Sequence, residues 1–479
     1  MTRAVPRAMS TQHPDNVAVP FFASGAVMGG EDEIREAFYA YSHLGCDEQM
    51  WDFEGKEVDE FVVEKLLSAY ESYFREHPLG EDVRLTPRVP NPALEKAQAK
   101  VLLEVLHSIP RHSDVSRMFY GHEREPIVEV IFPMTTSAAE LVRVREHYAA
   151  RVASLADDPA SRAWFGEFMP RQVDVIPLVE DRDSLLAADR IVTEYARASG
   201  VRELRVFIAR SDPALNYGFI PAVLLSLVAL ARLSRLEVRT HPIIGVGGPP
   251  FRGSLRPDSV DRVLARYPSV ETFTIQSAFK YDHTVADTVR GIAALKAAPR
   301  GEPIAIDEAR ALDVVDRVAA RYRDEVVAVA PLVRKICEHV PRRRMRKLHI
   351  GLFGYARQTN GESLPRTIPF VASLYTLGLP PEVLGLSALT RDDLAWLRAS
   401  VPCIDSDLVD AAAYLDPEIA AELPRVRESA RAALAIDGGE TNAAHLELAR
   451  EMRRRLASNA VGQLSDLVTR GGAIRHYLG

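Results

Sequence analysis

Val173-Asp-Val-Ile-Pro-Leu-Val179, ending at Glu180-Asp181, is followed after a helix-length segment by Leu204-Arg-Val-Phe-Ile-Ala209 and Arg210-Ser-Asp212. Both runs are short, rich in aliphatic and β-branched residues, and too brief for helices. The intervening Arg182–Ser199 keeps its apolar residues at helical spacing. Strand, helix and strand in this order make a parallel crossover unit, and each strand delivers a charged residue at its carboxyl end.

Further runs at Glu48–Phe53, Val83–Arg88, Ile127–Phe132, Leu236–Ile243, Val270–Gln276 and Leu348–Phe353 bring the expected strands to eight, the number that closes a (β/α)8 barrel. Val58–Arg75, Pro92–Leu106, Ala138–Leu155, Ala214–Leu233 and the longer Asp307–Val340 read as helices. From Leu364 to Gly479 apolar residues keep the helical period, with Glu and Arg between them and no convincing strand. The expected fold is therefore α/β: one elaborated (β/α)8 TIM-type barrel domain with its core at about 46–360 and additional C-terminal helices over about 361–479. No short-period repeat or low-complexity segment interrupts it.

A chain of 479 residues with 47% hydrophobic content can bury a large core. The net charge is −7, with acidic and basic residues interspersed, so no footprint for nucleic acid or an anionic membrane appears. Cys46, Cys337 and Cys403 lie far apart, which argues against a disulfide framework or structural zinc site and fits a reducing cytoplasm. The first residues lack the apolar core of a signal peptide, and Phe219–Leu233 is too short to span a membrane; a cytoplasmic protein is expected.

In such a barrel the reactive face lies at the carboxyl ends of the strands. Asp52, Glu54 and Lys56 follow the first expected strand, Arg88 the second, Met134-Thr-Thr136 the third, Glu180 the fourth and Asp212 the fifth. The sixth leads into Gly245-Val-Gly-Gly-Pro-Pro-Phe-Arg252-Gly253, the seventh ends at Gln276 and Lys280, and the eighth runs into Arg357-Gln-Thr-Asn360. Glu180 and Asp212, after adjacent strands, would bring like charges together, and oxygen ligands without Cys or paired His favour Mg²⁺ or Mn²⁺. Helix capping is the plainer reading of both carboxylates. Amides freed by Gly247 and Gly248, with the Arg252 guanidinium, could wrap an oxyanion, although a flexible surface loop has the same composition. Arg88, Arg252 and Arg357 together point to a multiply anionic substrate. Arg342-Arg-Arg-Met-Arg-Lys347, preceding an expected strand, is placed at the opposite end as a solvated turn.

One polar segment precedes the first expected strand. Met9-Ser-Thr-Gln-His-Pro-Asp-Asn16 cannot form a regular helix, because Pro14 drives His13 toward extended backbone. His13 there can transfer protons near neutral pH, whereas turn chemistry alone would also account for the segment. Preceding the strands, residues 10–16 are expected to fold back as a cover over the barrel mouth.

Four of these motifs carry a specific likeness. Ser10-Thr-Gln-His-Pro-Asp-Asn16, Gly45-Cys-Asp-Glu-Gln-Met-Trp-Asp-Phe-Glu-Gly-Lys56, Ile131-Phe-Pro-Met-Thr-Thr136 and Arg357-Gln-Thr-Asn-Gly361 together resemble the archaeal-type phosphoenolpyruvate carboxylases, over nearly the whole chain. The resemblance implies carboxylation of phosphoenolpyruvate by bicarbonate to oxaloacetate and phosphate, with Mg²⁺ or Mn²⁺, in a homo-oligomer of four subunits. By likeness to the larger enzymes of the same activity, His13 is the catalytic histidine and Glu180 and Asp212 bind the metal. Arg88 and Arg252 then hold phosphate and bicarbonate.

The glycine-rich loop departs from the larger enzymes: Ile244-Gly-Val-Gly-Gly248 stands where they carry Phe-His-Gly-Arg-Gly-Gly, so a His and an Arg are missing. Gln276, Lys280 and Arg357 are the candidates by rim position to hold the substrate instead. In the implied mechanism bicarbonate attacks phosphorus, and His13 accepts the proton of carboxyphosphate so that CO₂ is released beside a metal-stabilised enolate. The loops Ser10–Asn16 and Gly245–Gly253 are expected to act as lids that exclude water. The rival enzyme reading is another magnesium-dependent barrel lyase or aldolase acting on pyruvate-like enolates, and the non-enzyme reading is a metabolite sensor on the same barrel.

Overall fold

The structure is a computed structural model that describes residues 4–479 apart from 57, 97–98, 346–357, 360–361, 437–439 and 461. Eight parallel strands close a barrel in sequence order: β1 (Ala8–Ser10), β2 (Glu48–Asp52), β3 (Arg84–Arg88), β4 (Glu129–Phe132), β5 (Asp174–Val179), β6 (Glu203–Ala209), β7 (Arg239–Gly245) and β8 (Thr272–Ile275).

Seven of these coincide with expected runs, and the eighth corrects the expectation. The closing strand is not Leu348–Phe353, which lies outside the described residues, but Ala8–Ser10. The barrel thus begins at residue 8 and closes by residue 275, rather than spanning about 46–360. Three residues with no β-branched member carry little strand signal of their own. Pairing on both sides supplies what propensity does not, with Met9 opposite Glu48 of β2 and Thr274 of β8, and Ala8 and Met9 fully buried.

The barrel interior is layered. At the amino ends, Arg205 donates to Glu48 (2.7 and 2.6 Å) and Thr272 (3.2 Å) and pairs with Glu129 at 3.3 Å, which also takes Arg84 at 3.2 Å. Removing one partner of such a buried ionic layer costs about 3–5 kcal/mol, because the other charge is left uncompensated. Above it, Met9, Met50, Ile131, Ile176, Leu178, Phe207, Ala209 and Ile243 form a closed apolar plug. The polar strand ends stand on that plug, so they are held rigidly and solvent reaches them from one side.

Helix Phe219–Leu233 is apolar on every face because it packs between β6 and the long helix Glu308–Cys337. Helix Thr367–Leu377 is likewise almost wholly buried, against Glu308–Cys337 on one side and helices Ala443–Ala457 and Leu464–Arg475 on the other. The expected C-terminal helices are thus present and bring the last residues of the chain to the barrel mouth. Among the described residues no helix is long and apolar enough to cross a membrane.

Candidate active site at the carboxyl ends of the strands

Because Ala8–Ser10 is a barrel strand, His13 belongs to a strand end like the other candidates. The Thr11 amide extends the ladder to the Ile275 carbonyl (3.0 Å), and Gln12 Oε1 accepts from the Asp52 amide (2.9 Å). His13 Nδ1 lies 2.8 Å from Thr11 Oγ1. Asp15 is buried and accepts from the Ala278 amide (2.8 Å) and Arg252 (3.1 Å). Beyond it, Asp282 accepts the Val17 and Ala18 amides, while Arg343 donates to the carbonyls of Asn16 (3.2 Å) and Val17 (2.6 Å). A segment buried and pinned at so many points is a fixed rim, which corrects the expectation of a cover or lid over residues 10–16.

Asp52 ends β2 directly opposite Arg88, the last residue of β3. It accepts from Arg88 Nε (2.8 Å) and Nη2 (2.7 Å) and also pairs with Lys56, while Glu54 takes Arg88 Nη1 at 3.1 Å. Bidentate pairing fixes the guanidinium plane. Asp52, placed at the reactive face from sequence but assigned no role, is thus a site residue; the signal for its role lay in the strand register, which sets a carboxylate beside Arg88.

Met134 adopts a left-handed backbone (φ 51°), an uncommon and costly conformation for a side chain of this kind, and its amide donates to Glu180 Oε2 at 2.7 Å. The Ile131–Thr136 motif therefore aims a backbone donor at the carboxylate. Glu180 is buried, and its pKa lies well above the usual range, first through desolvation and then through the negative charges of Asp212 and Glu54; Arg88 and the Met134 amide oppose the shift. Glu180, with the negative charge of Asp212 acting on it, makes with Asp212 a carboxylate pair suited to a hard divalent cation. Among the described residues no cluster of three or more metal-type side chains is present, so such an ion would take its remaining ligands from water or substrate.

Arg252 is buried, and each of its nitrogens has an acceptor: Nε on Ser211 (3.0 Å), Nη1 on Asp15 (3.1 Å) and a backbone oxygen of Gly479 (2.7 Å), and Nη2 on Gln276. Its loop is folded on itself through Gly247 N–H to Arg252 O (2.8 Å) and Leu255 N–H to Gly247 O (2.8 Å), with a short 3₁₀ turn at Pro250–Arg252. Buried from Val246 to Arg256, the stretch is neither a flexible surface loop nor the lid expected over Gly245–Gly253. A Cβ on Gly247 would stand 2.9 Å from Gln276 Oε1 and 3.1 Å from the Arg252 guanidinium carbon, so glycine there permits the Arg252–Gln276 contact. Gly248 packs against Tyr477 in the same way.

Lys280 is buried with three acceptors, Ser10 Oγ (2.9 Å), Thr11 O (2.9 Å) and Glu36 (2.8 Å). Glu36 also binds Tyr281 Oη (2.6 Å) and both terminal nitrogens of Arg344, and these cations hold its carboxyl down at about 2 against burial, the largest influence on it. Arg343 and Arg344 are buried on this side of the barrel, Arg344 touching Ser277 at 3.2 Å, which corrects their expected place in a solvated turn at the opposite end. The error follows from the misplaced strand: the run precedes no barrel strand. Arg357 lies outside the described residues.

Arg88, Glu180 and Asp212 thus meet in one group, Arg252, Gln276, Gly247 and Asp15 in a second, and His13, Thr11, Ser10 and Lys280 in a third, all on one rim. Fold and rim define a (β/α)8-barrel enzyme with its charged site at the carboxyl ends of the strands. A family model described as phosphoenolpyruvate carboxylase matches residues 5–479. The chain is 47% identical over 484 residues to the phosphoenolpyruvate carboxylase of Methanothermobacter thermautotrophicus, covering 99% of this chain and 100% of that one. It is 49% identical over 489 residues to that of Halobacterium salinarum, with 99% of each chain covered, and 54% identical over 398 residues to that of Pyrococcus abyssi, with 81% and 84% covered. The chain belongs to the phosphoenolpyruvate carboxylase family.

Proposed function

We propose that this protein carboxylates phosphoenolpyruvate with bicarbonate, forming oxaloacetate and phosphate. The observation that carries this reading is full-length membership of the family together with one rim on which the family-like motifs converge. Glu180 and Asp212 would hold Mg²⁺ or Mn²⁺, which when bound supplies positive charge to offset the enolate as phosphate departs.

The chain's own residues account for the rest. Arg88, oriented by Asp52 and Glu54, binds the phosphoryl group, and Arg252, held by Asp15 and Gln276, orients bicarbonate. A bicarbonate oxygen attacks phosphorus, the bond from phosphorus to the enol oxygen breaks, and carboxyphosphate and the enolate result. His13, its ring fixed through Nδ1 by Thr11, takes the carboxyphosphate proton at Nε2. Carboxyphosphate then releases CO₂ and phosphate, and the enolate carbon attacks CO₂. Gln276 and Lys280 act by holding Arg252 and the His13 strand end rather than by direct contact.

The buried Cys46 and Cys337 and the unpaired Cys403 fit a cytoplasmic setting. Exposed Met118 (82%), Trp164 (82%) and Phe165 (63%) are surfaces that a homo-oligomer, by family likeness a tetramer, would cover. Phosphate release from phosphoenolpyruvate, measured with and without bicarbonate, tests the reading: release requires bicarbonate and is matched by oxaloacetate, whereas bicarbonate-independent turnover would reject it.

A further inference from the structure

The substrates proposed above carry several negative charges between them, and the cations on the rim that would meet them share their charge with protein acceptors. Every nitrogen of Arg88 pairs with Asp52 or Glu54, every nitrogen of Arg252 has an acceptor, and Lys280 has three. Arg210 is different. It is fully buried, and Nε, Nη1 and Nη2 all lack a hydrogen-bond partner, which is true of no other arginine among the described residues. A guanidinium withdrawn from water with none of its donors satisfied is costly, and a bound ion or a catalytic role is among the reasons native folds retain such a group.

The position of Arg210 supplies the second observation. Ala209 ends β6 in register with Gly245 of β7, and its side chain belongs to the apolar plug of the barrel. Ser211, on the other side, accepts from Arg252, and Asp212 follows. The backbone at Arg210 (φ −115°, ψ −36°) turns the chain out of the strand between these two points. Arg210, with its guanidinium unsatisfied, therefore belongs to the strand end that also carries a partner of Arg252 and one proposed metal ligand.

We infer that Arg210 is an oxyanion-binding residue of this site, its planar fork completed by a carboxylate, phosphoryl or bicarbonate oxygen of the reacting molecules. The inference rests on the carboxylase reading for the identity of that anion. Solvent does not reach the group, so an anion held there is held dry, where guanidinium pairing is strongest. It also answers the departure in the glycine-rich loop: a cation missing after β7 is supplied by the end of β6, the neighbouring strand.

Arg210→Met and Arg210→Lys test it, with KM for phosphoenolpyruvate and for bicarbonate measured separately and the melting temperature measured without substrate. Loss of charge-assisted bonds should raise one KM by about 10- to 100-fold in Arg210→Met, and the substrate whose KM moves is the bound anion. The Mg²⁺ concentration for half activation should change by less than threefold. Because the replaced group has no hydrogen-bond partner among the described residues, the ligand-free Arg210→Met protein should melt no lower than the wild type. Both KM values within twofold of wild type in either variant would overturn the inference, as would a lowered melting temperature with unchanged KM. Should wild type show no bicarbonate-dependent turnover, the carboxylase reading fails separately. Calorimetric titration with phosphoenolpyruvate then decides the matter: binding by wild type that Arg210→Lys weakens at least tenfold retains the role, and equal binding removes it.

Discussion

Lys280→Met separates a substrate ligand from a brace. Sequence position alone assigns Lys280 to substrate, whereas the structure commits its ammonium group to Ser10, Thr11 and Glu36. Breaking a buried ion pair from one side costs about 3–5 kcal/mol. Glu36 keeps Arg344 and Tyr281, so its charge stays compensated and the cost falls at the low end, about 3 kcal/mol. With an unfolding entropy of about 2.1 cal/mol/K per residue over 479 residues, this lowers the melting temperature by roughly 3 °C. Ser10 and Thr11 lead directly to His13, and a small displacement of a proton acceptor costs on the order of 100-fold in rate. Steady-state kinetics should therefore show kcat reduced about 10- to 100-fold with KM for phosphoenolpyruvate changed less than threefold. A KM raised tenfold or more at an unchanged melting temperature would refute this reasoning and return Lys280 to the substrate.

Other perturbations address the remaining groups. His13→Asn should lower kcat for oxaloacetate by about 10²- to 10⁴-fold while phosphoenolpyruvate binding, followed by calorimetry, stays within threefold. Glu180→Gln and Asp212→Asn should each raise the Mg²⁺ concentration for half activation at least tenfold; an unaltered metal dependence would remove that carboxylate from the metal site. His112, buried in helix Ala99–Tyr120, has its pKa pushed down from 6.5 to about 3, by burial first and Arg111 second. The unfolded chain therefore protonates first as pH falls: the stability this histidine confers is whole above about 6.5 and is lost toward 3, up to roughly 5 kcal/mol. Denaturation midpoints should fall less steeply over that range in His112→Leu, and parallel profiles would exclude the histidine as a cause.

Seven barrel strands were legible in the sequence because each carries enough aliphatic residues to announce itself. Ala8–Ser10 was not, since its extended state is imposed by β2 and β8 rather than by its own residues. That one strand decided two further placements. It turned His13 from a cover into a strand end, and it brought Arg343 and Arg344 from an imagined solvated turn into a buried network with Glu36 and Ser277. Arg88, Glu180, Asp212 and Arg252 could be named from position alone, because strand ends on one face converge by geometry. Asp52 and Arg210 were placed at strand ends but given no role, for a different reason: their roles depend on which donors and acceptors are already satisfied, a matter of register and burial that residue type does not reveal.

Carboxylation through carboxyphosphate is the central claim, and the fate of oxygen tests it most directly. With bicarbonate labelled in every oxygen by ¹⁸O, attack on phosphorus leaves one labelled oxygen in the phosphate and two in the new carboxylate of oxaloacetate, read by mass spectrometry before exchange. Phosphate free of label would mean that water, not bicarbonate, attacks phosphorus, and the assignment of His13, Arg88 and Arg252 to that step would fall with it.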